Sequence, residues 1–179
     1  MANQRLTDKT ALDQQTGSGD LYMIVDVSDT TGSSAGTSKK LDSKFVLQTD
    51  KFSLTNAEVI QLSHGASPKT LVGALSGYMV TPISATCLIT HAGSNESGNK
   101  TLYFGYDTSS NLTYWENASK FYNGESADSA YVFGGKQSGF GVYRGSTILN
   151  KPFVMWSSGA FNGGWSMDVY LTYCYTKIL

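Results

Sequence analysis

The sequence predicts an all-β protein: an antiparallel β-sandwich of jelly-roll type, preceded by a small, partly extended N-terminal attachment segment. Two observations support this prediction. Apolar residues in the C-terminal two thirds recur with a period of two rather than 3.6, and the segments with this period are short and separated by turn-forming residues. Charged residues make up only 15% of the 179 residues, against about 25% in a typical domain, which suits a β protein rich in turns.

The chain changes composition near residue 60. Residues 1–60 hold 14 of the 27 charged residues, whereas 19 of the 22 aromatic residues lie from Tyr78 onward. Because the first part has too little apolar surface to fold alone, we assign residues 1–58 to an attachment segment and residues 59–179 to the sandwich. The N-terminus lacks the apolar core of a signal peptide, which predicts a chain made and kept in a cytoplasm.

The sequence of the N-terminal part predicts a hairpin. Leu21–Val27 reads LYMIVDV and is expected to be a strand, and Ser38–Leu41 is expected to pair back onto it. Between them lies a Gly/Ser stretch followed by two lysines, the outline of a nucleotide-binding phosphate loop. The lysine does not stand where the G-x-x-x-x-G-K-[ST] motif requires it, so a solvated turn is predicted instead. Ser43–Gln48 is expected to form one helical turn.

In the C-terminal part the clearest strand is the last one. Met167–Leu179 alternates throughout, and its core face is predicted to comprise Met167, Val169, Leu171, Tyr173 and Tyr175. The other face is polar but carries three larger side chains, which makes it suited to contact with a second layer or another subunit. The candidate subunit-interface residues are therefore Tyr170, Cys174 and Ile178.

The remaining strands are read from the same alternation. Met79–His91 is predicted to place Met79, Ile83, Cys87 and Ile89 on its core face. Two hairpins are expected, one joining Thr101–Tyr106 to Leu112–Trp115 and one joining Pro152–Ser157 to the last strand through an Asn-Gly turn. Ala130–Phe133 and Phe140–Tyr143 complete seven or eight strands, and no helix is expected after residue 75.

No catalytic, cofactor-binding or metal site is predicted, so the chain is expected not to be an enzyme. Histidine is scarce, no G-x-S-x-G nucleophile elbow exists, and no Cys/His cluster has metal-ligand spacing. Cys87 and Cys174 are expected to be buried thiols that act as small hydrophobes. The net charge of −1 gives no electrostatic reason to expect nucleic acid or an anionic membrane as a partner.

Two groups of side chains leave functional alternatives open. Four carboxylates lie at predicted turns, where a solvated role is expected rather than a glycosidase-type pair: Asp107, Glu116, Glu125 and Asp128. Six aromatic residues cluster near one hairpin: Tyr103, Tyr106, Tyr114, Trp115, Phe121 and Tyr122. Such residues stack on sugar rings in lectin-like surfaces, but they more commonly pack in cores and subunit interfaces.

Three stretches resemble parts of tailed-bacteriophage virion structural proteins. Gly65–Ile89, with SPKTLVGALSGYMV, resembles the opening of their β-sandwich modules, and Asn150–Leu179 resembles the closing hairpin. The pattern of a strand, DVSDTT, a Gly/Ser turn and GTSKK resembles the N-terminal region of phage fibre and receptor-binding proteins. The chain departs from the usual pattern at Cys87 and at Gly77-Tyr78.

The resemblance implies a non-enzymatic virion protein, made in the host bacterial cytoplasm: a homotrimeric head fibre or capsid decoration protein. Its N-terminal segment would dock onto capsid or other virion proteins, and its sandwich would project. The alternative is a tail-fibre or lectin-like module that binds host-surface glycans. The candidate docking residues are Leu21, Ile24, Val27, Lys39 and Lys40, and no cofactor, nucleic acid or membrane is implied.

Overall fold

A computed structural model describes residues 21–63, 68–108, 112–117, 120–135 and 145–178. Contacts divide the chain into two units, Met1–Ser43 and Lys44–Leu179, and each unit is described by itself. The predicted strand Phe140–Tyr143 lies outside the described residues. Within the described ranges, no helix is long and apolar enough to cross a membrane.

Ten strands and two short helices make up the described chain. In chain order they are β1 Leu21–Asp26, β2 Thr37–Asp42, β3 Gln48–Leu54, α1 Asn56–Gln61, β4 Lys69–Val72, β5 Tyr78–His91, β6 Leu102–Tyr106, β7 Leu112–Glu116, β8 Ser129–Gly134, α2 Gly145–Ile148, β9 Phe153–Ser157 and β10 Trp165–Lys177. One 3₁₀ turn spans Ser43–Phe45, within the range predicted for a helical turn.

The first unit contains the predicted hairpin, which we call the ribbon (β1, β2 and the turn between them). Its strands pair antiparallel, from Leu21 opposite Asp42 to Asp26 opposite Thr37. Among the described residues, these two strands form a sheet of their own. An isolated two-stranded ribbon is marginally stable in water.

The second unit is an eight-stranded antiparallel sandwich, and the predicted fold class is confirmed. One sheet has the strand order β3-β10-β5-β8 and the other has the order β4-β9-β6-β7. When β3 to β10 are counted from one to eight, these orders become 1-8-3-6 and 2-7-4-5, the arrangement of a jelly roll with two interlocked Greek keys.

The sandwich begins earlier in the chain than the predicted boundary between residues 58 and 59. The structure divides the units between Ser43 and Lys44, because β3 is an edge strand of the first sheet and pairs with β10 along its length. Alternation is weak in β3, whose sequence QTDKFSL carries two charges, so its place in the sheet is set by its partner strand.

Aromatic side chains join the two sheets across the core. Phe104 of the second sheet lies 4.9 Å from Phe133 of the first, measured between ring centroids. The Tyr106 hydroxyl donates a hydrogen bond of 2.6 Å to the carbonyl of Val80, and Trp115 Nε1 donates one of 2.8 Å to the carbonyl of Gly135. The polar tips of buried aromatics are therefore satisfied by the backbone of the opposite sheet.

The last strand behaves as its alternation predicts as far as Tyr173, whereas Tyr175 is only half-buried. Met167, Val169, Leu171 and Tyr173 are buried, and the residues between them are half-buried. The second predicted hairpin is wrong, however. β9 and β10 belong to different sheets, so the Asn-Gly segment between them carries the chain from one sheet to the other. Turn residues predict that the chain reverses direction. They do not predict which strand the next segment pairs with, because that choice depends on packing.

The predicted core face of β5 is also wrong in the first half of the strand, where Ile83 is 47% exposed and Met79 is only half-buried. The pairing with β10 skips a residue here: Ser84 lies opposite Thr172, but Pro82 lies opposite Tyr173. The extra residue forms a β-bulge that reverses which residues face the core. Consequently Val80 and Pro82 point inward before the bulge, and Ala85, Cys87 and Ile89 do so after it.

Both helices are brief. α1 has a capping box, in which the Thr55 side chain accepts from the Glu58 backbone N–H and the Glu58 carboxylate accepts from the Thr55 N–H. This pattern is visible in the sequence as T-x-x-E and marks a helix start. α2 is a single turn at Gly145–Ile148, in a region where no helix was expected.

Gly105 provides a direct test of this packing. A Cβ at Gly105 would overlap the carbonyl oxygen of Leu112 in the paired strand and would lie 3.0 Å from the Trp156 ring. We expect Gly105→Ala to lower the free energy of unfolding by about 3 kcal/mol, because neither the backbone nor the buried ring can move aside cheaply. Urea unfolding followed by tryptophan fluorescence measures the loss.

Gly134→Ala is the matched control for that variant. Gly134 also lies in a strand, but the nearest atom to its Cβ position is 4.0 Å away. Its unfolding free energy should stay within about 0.5 kcal/mol of the wild type. Equal losses in the two variants would contradict the strand packing described for β6 and β7.

Candidate functional site

The interior of the sandwich is filled with aromatic side chains. Of the six aromatics that clustered in the sequence, Tyr106, Trp115, Phe121 and Tyr122 are at most 1% exposed, so they are not available to stack on a sugar. Tyr103 is stacked on Trp156 at 5.5 Å. Within the described ranges, no three His, Cys, Asp or Glu side chains are grouped so that they could hold a metal ion.

One pair of the candidate carboxylates is too far apart for glycosidase chemistry. Asp107 directly follows Tyr106 at one end of β6, whereas Glu116 lies opposite Tyr103. Four residues of strand separate them, roughly 13 Å at the rise of an extended chain. Paired carboxylates in these enzymes are about 5–9.5 Å apart. Asp128 accepts a hydrogen bond from the backbone N–H of His91, a structural role at a loop.

The two cysteines are free and differ in exposure. Cys87 is buried, and burial raises the pKa of its thiol far above the ordinary value, which keeps it protonated and unreactive, as the sequence predicted. Cys174 is only half-buried. It lies on the outer face of β10, whereas Cys87 is on the inner face of β5, so the two thiols face opposite sides of one sheet.

Glu96 is a buried carboxylate that the sequence did not single out. Its Oε2 accepts hydrogen bonds from the backbone N–H groups of Asn162 (2.9 Å) and Gly163 (2.8 Å) and from Trp165 Nε1 (3.3 Å). Its other oxygen, Oε1, has no hydrogen-bond partner in the described part of the chain. Glu96 thus ties the loop after β5 to the segment that connects the two sheets.

The predicted subunit-interface residues do not form one patch. Tyr170 and Cys174 lie on the outer face of the first sheet, where the Tyr170 ring is 5.8 Å from Lys51 Nζ. Ile178 follows β10 and packs near Gly145 of α2, its Cγ2 lying 3.6 Å from the Cβ position of that glycine. Part of the proposed interface is therefore already used inside the chain.

The outer face of the first sheet is mostly hydroxylic. Its exposed apolar side chains are Ile83, Leu88 and Val132. Val132 lies opposite Thr86, and Leu88 lies between Asp168 and Ala130, so polar or small residues separate the larger apolar side chains. Apolar side chains scattered in this way are normal on a soluble surface and do not by themselves indicate an interface.

The ribbon is different, because both of its faces carry apolar side chains. Residues directly opposite each other share a face. The register therefore places Leu21, Met23, Val25, Ser38, Lys40 and Asp42 on one face, which we call the methionine face. The other, the tyrosine face, comprises Tyr22, Ile24, Asp26, Thr37, Lys39 and Leu41.

The methionine face is the more exposed of the two. Leu21, Met23 and Val25 are 58%, 70% and 58% exposed, whereas Tyr22 and Ile24 on the tyrosine face are 36% and 38% exposed. Val27, which follows β1, is 76% exposed. Contiguous apolar surface of this kind is rare on soluble chains and marks interaction sites.

The turn of the ribbon is held by one lysine between two aspartates. Lys39 Nζ lies 2.9 Å from Asp26 Oδ2 and 2.8 Å from Asp29 Oδ2. Each aspartate also accepts hydrogen bonds from a residue two positions later, Ser28 for Asp26 and Thr31 for Asp29. A lysine neutralised in this way offers little charge to a phosphate, which agrees with the rejection of a phosphate loop.

The predicted docking residues fall on both faces of the ribbon. Leu21 and Lys40 lie on the methionine face and Ile24 lies on the tyrosine face. Lys39 was expected to face solvent or a partner, but its ammonium group closes the turn instead. The apolar residues and Lys40 are thus the part of the predicted set that is exposed for contact.

Comparison with models of protein families, with curated proteins and with solved structures finds no match to this chain.

The aspartates of the turn give a test by titration. Hydrogen bonds from Lys39 and Thr31 lower the pKa of Asp29 from 3.8 to about 2. The pKa of Asp26 is also lowered, mainly by the hydrogen bond from the Ser28 side chain and next by the one from Lys39. A lowered pKa means that the carboxylate stabilises the turn above about pH 4 and that this contribution is lost as the pH falls to about 2.

We therefore expect Lys39→Gln to raise the pKa of Asp29 toward 3.8, and to raise that of Asp26 by less because the Ser28 bonds remain. Carboxyl carbon shifts followed by NMR between pH 1.5 and 6 measure the pKa of Asp29 and show whether Asp26 begins to titrate at a higher pH. Lys40→Gln is the control, since Lys40 lies on the other face, and it should leave both titrations unchanged. A shift of Asp29 in the control alone would contradict the ion-pair geometry.

Proposed function

We propose that the protein is a non-enzymatic structural component of a tailed-phage virion. It is a homotrimeric head fibre or capsid decoration protein that attaches through its N-terminal segment and projects its sandwich. The observation that carries this proposal is the ribbon: two short strands that place exposed apolar side chains on both faces. Such a ribbon lowers its free energy by packing against other protein surface.

The filled sandwich supports an assembly role over a catalytic one. Ligand sites are usually concave and keep a few polar groups directed inward, whereas the core between these sheets is occupied by tilted and edge-to-face aromatic rings. Jelly rolls recur in viral capsid domains and in lectins. This similarity concerns the fold alone and does not by itself indicate a function.

The glycan-binding alternative has less support. Sugar recognition by stacking needs exposed aromatic faces, and four of the six clustered aromatics belong to the core. We therefore rank virion assembly first and host-glycan binding second.

Two measurements on the full chain test the proposal. Light scattering coupled to size exclusion should give three times the chain mass of 19.3 kDa at micromolar concentration, and mass spectrometry of gradient-purified phage particles should find peptides of the chain. A monomer at that concentration would contradict the trimer. Absence from intact particles assembled in the same lysate would contradict the virion location, independently of the first result.

A further inference from the structure

We propose that Asn123–Gly124 is a site of spontaneous covalent modification, at which Asn123 of the folded chain is converted to aspartate and isoaspartate. The sequence has a second Asn-Gly pair, Asn162–Gly163, which is protected from the same reaction by its contacts with Glu96 and Ser97. The inference is independent of the proposed function, because it concerns the chemistry of the peptide backbone at these two pairs.

The reaction needs only a glycine amide and water. The Gly124 nitrogen loses its proton to solvent and bonds to the side-chain carbonyl carbon of Asn123, and the bond from that carbon to Nδ2 breaks, so that ammonia leaves. Water then opens the cyclic imide. Opening at the side-chain carbon gives aspartate, whereas opening at the backbone carbonyl carbon gives isoaspartate. Glycine favours ring closure because it has no side chain to hinder its nitrogen.

Glu96 accepts a hydrogen bond from both glycine nitrogens, but through different atoms. Its side-chain Oε2 accepts from the Gly163 N–H at 2.8 Å, in the buried interior. Its backbone carbonyl accepts from the Gly124 N–H at 2.9 Å. A hydrogen bond to a carboxylate is the stronger kind, and a carboxylate beside an amide opposes loss of the amide proton because like charges repel. Gly163 is therefore the weaker nucleophile.

The space around the two glycines differs in the same direction. A Cβ on the buried Gly163 would lie 2.6 Å from the Trp165 ring and 2.9 Å from the Glu96 nitrogen. Gly124 is exposed, and among the described residues nothing beyond its chain neighbours lies within 4 Å of its Cβ position. Ring closure requires the glycine nitrogen to swing toward the preceding side chain. Gly124 has room for this movement, in a loop where local opening costs little free energy.

The two asparagine side chains are also held differently. Asn162 Oδ1 accepts from the Ser97 N–H at 3.0 Å, and Asn162 Nδ2 donates to Ser97 Oγ at 2.9 Å. Ring closure at Asn162 has to break these bonds, since Nδ2 leaves as ammonia. Asn123 is half-buried, and within the described ranges no hydrogen bond holds its side-chain amide.

Modification of Asn123 changes the chain next to the core. The preceding residue, Tyr122, is buried, and its ring centroid lies 5.1 Å from that of Trp165. Isoaspartate lengthens the backbone by one carbon where Asn123 pairs with Glu96 in an isolated bridge. The new carboxylate also stands two residues from Glu125, which has the same charge. The reaction therefore weakens the attachment of this loop to the sandwich.

Incubation of the full wild-type chain at about 37 °C and about pH 8, followed by peptide mass spectrometry, is the principal test. We expect Asn123 to be converted at least about tenfold faster than Asn162, a difference of about 1.4 kcal/mol in activation free energy, with isoaspartate among the products. The chain unfolded in guanidinium chloride is the reference, in which both pairs should react at similar rates.

Three results of that experiment would overturn the inference. They are equal rates at the two asparagines of the folded chain, faster conversion of Asn162, and a folded chain in which neither asparagine reacts while both react in the unfolded reference.

Two matched variants assign the change in charge to one residue. Asn123→Gln and Asn162→Gln each introduce a longer side chain, which closes the ring much more slowly. On incubation the wild type and Asn162→Gln should become one unit more negative than the formal charge of −1, as read by isoelectric focusing, and Asn123→Gln should not. Acidification of Asn123→Gln as fast as that of the wild type overturns the inference.

Ser97→Ala tests the protection of the second pair. This variant removes the oxygen that accepts from Asn162 Nδ2 but keeps the Ser97 N–H. We expect conversion of Asn162 to become about three- to tenfold faster, the factor that one hydrogen bond provides, while the rate at Asn123 stays unchanged. An unchanged rate at Asn162, in a protein whose near-ultraviolet circular dichroism matches the wild type, overturns the protective role of Ser97.

Discussion

The closed aromatic core between the two sheets is the constraint on which the rest of the structure depends. Tyr106 and Trp115 reach across the sandwich to backbone carbonyls of the opposite layer, so the sheets cannot slide or separate without leaving buried polar atoms unpaired. These two hydrogen bonds therefore help to hold the sheets in place on one another. Among the described residues, the large aromatic side chains of this core are buried and are not exposed to a ligand.

The ribbon combines a polar turn with a strand, β1, that carries exposed apolar side chains. Lys39, Asp26 and Asp29 neutralise one another within the turn, so its charges are satisfied internally. Gly36, at a φ of 111°, allows the chain to return where a side chain would meet the carbonyl of Asp26 at 2.8 Å. The strands are then left with exposed apolar residues, a composition suited to contact with other chains rather than to chemistry.

Much of this fold could be predicted from the sequence, because local patterns encode it. The alternation of β10 gave its core face, and the pairing of β1 with β2 followed from two short runs around a turn. Ile83 and the β9–β10 connection could not be predicted, since a bulge and a choice of sheet depend on the partner strand. For the site, the apolar sequence of β1 pointed to the residues that the structure leaves exposed, but the ion pairs of Lys39 and the burial of Glu96 depend on contacts between segments distant in sequence.

Site-specific cross-linking of the ribbon tests the central claim most directly. In a full chain carrying Cys174→Ser, Met23→Cys and Ile24→Cys place a thiol on opposite faces of the same strand, and a short bismaleimide joins only thiols of neighbouring chains that face each other. If the ribbons of neighbouring chains pack together, as the proposed trimer attached through this segment requires, we expect covalent dimers at micromolar concentration from at least one of the two variants. Cross-linking absent from both variants would contradict assembly through the ribbon.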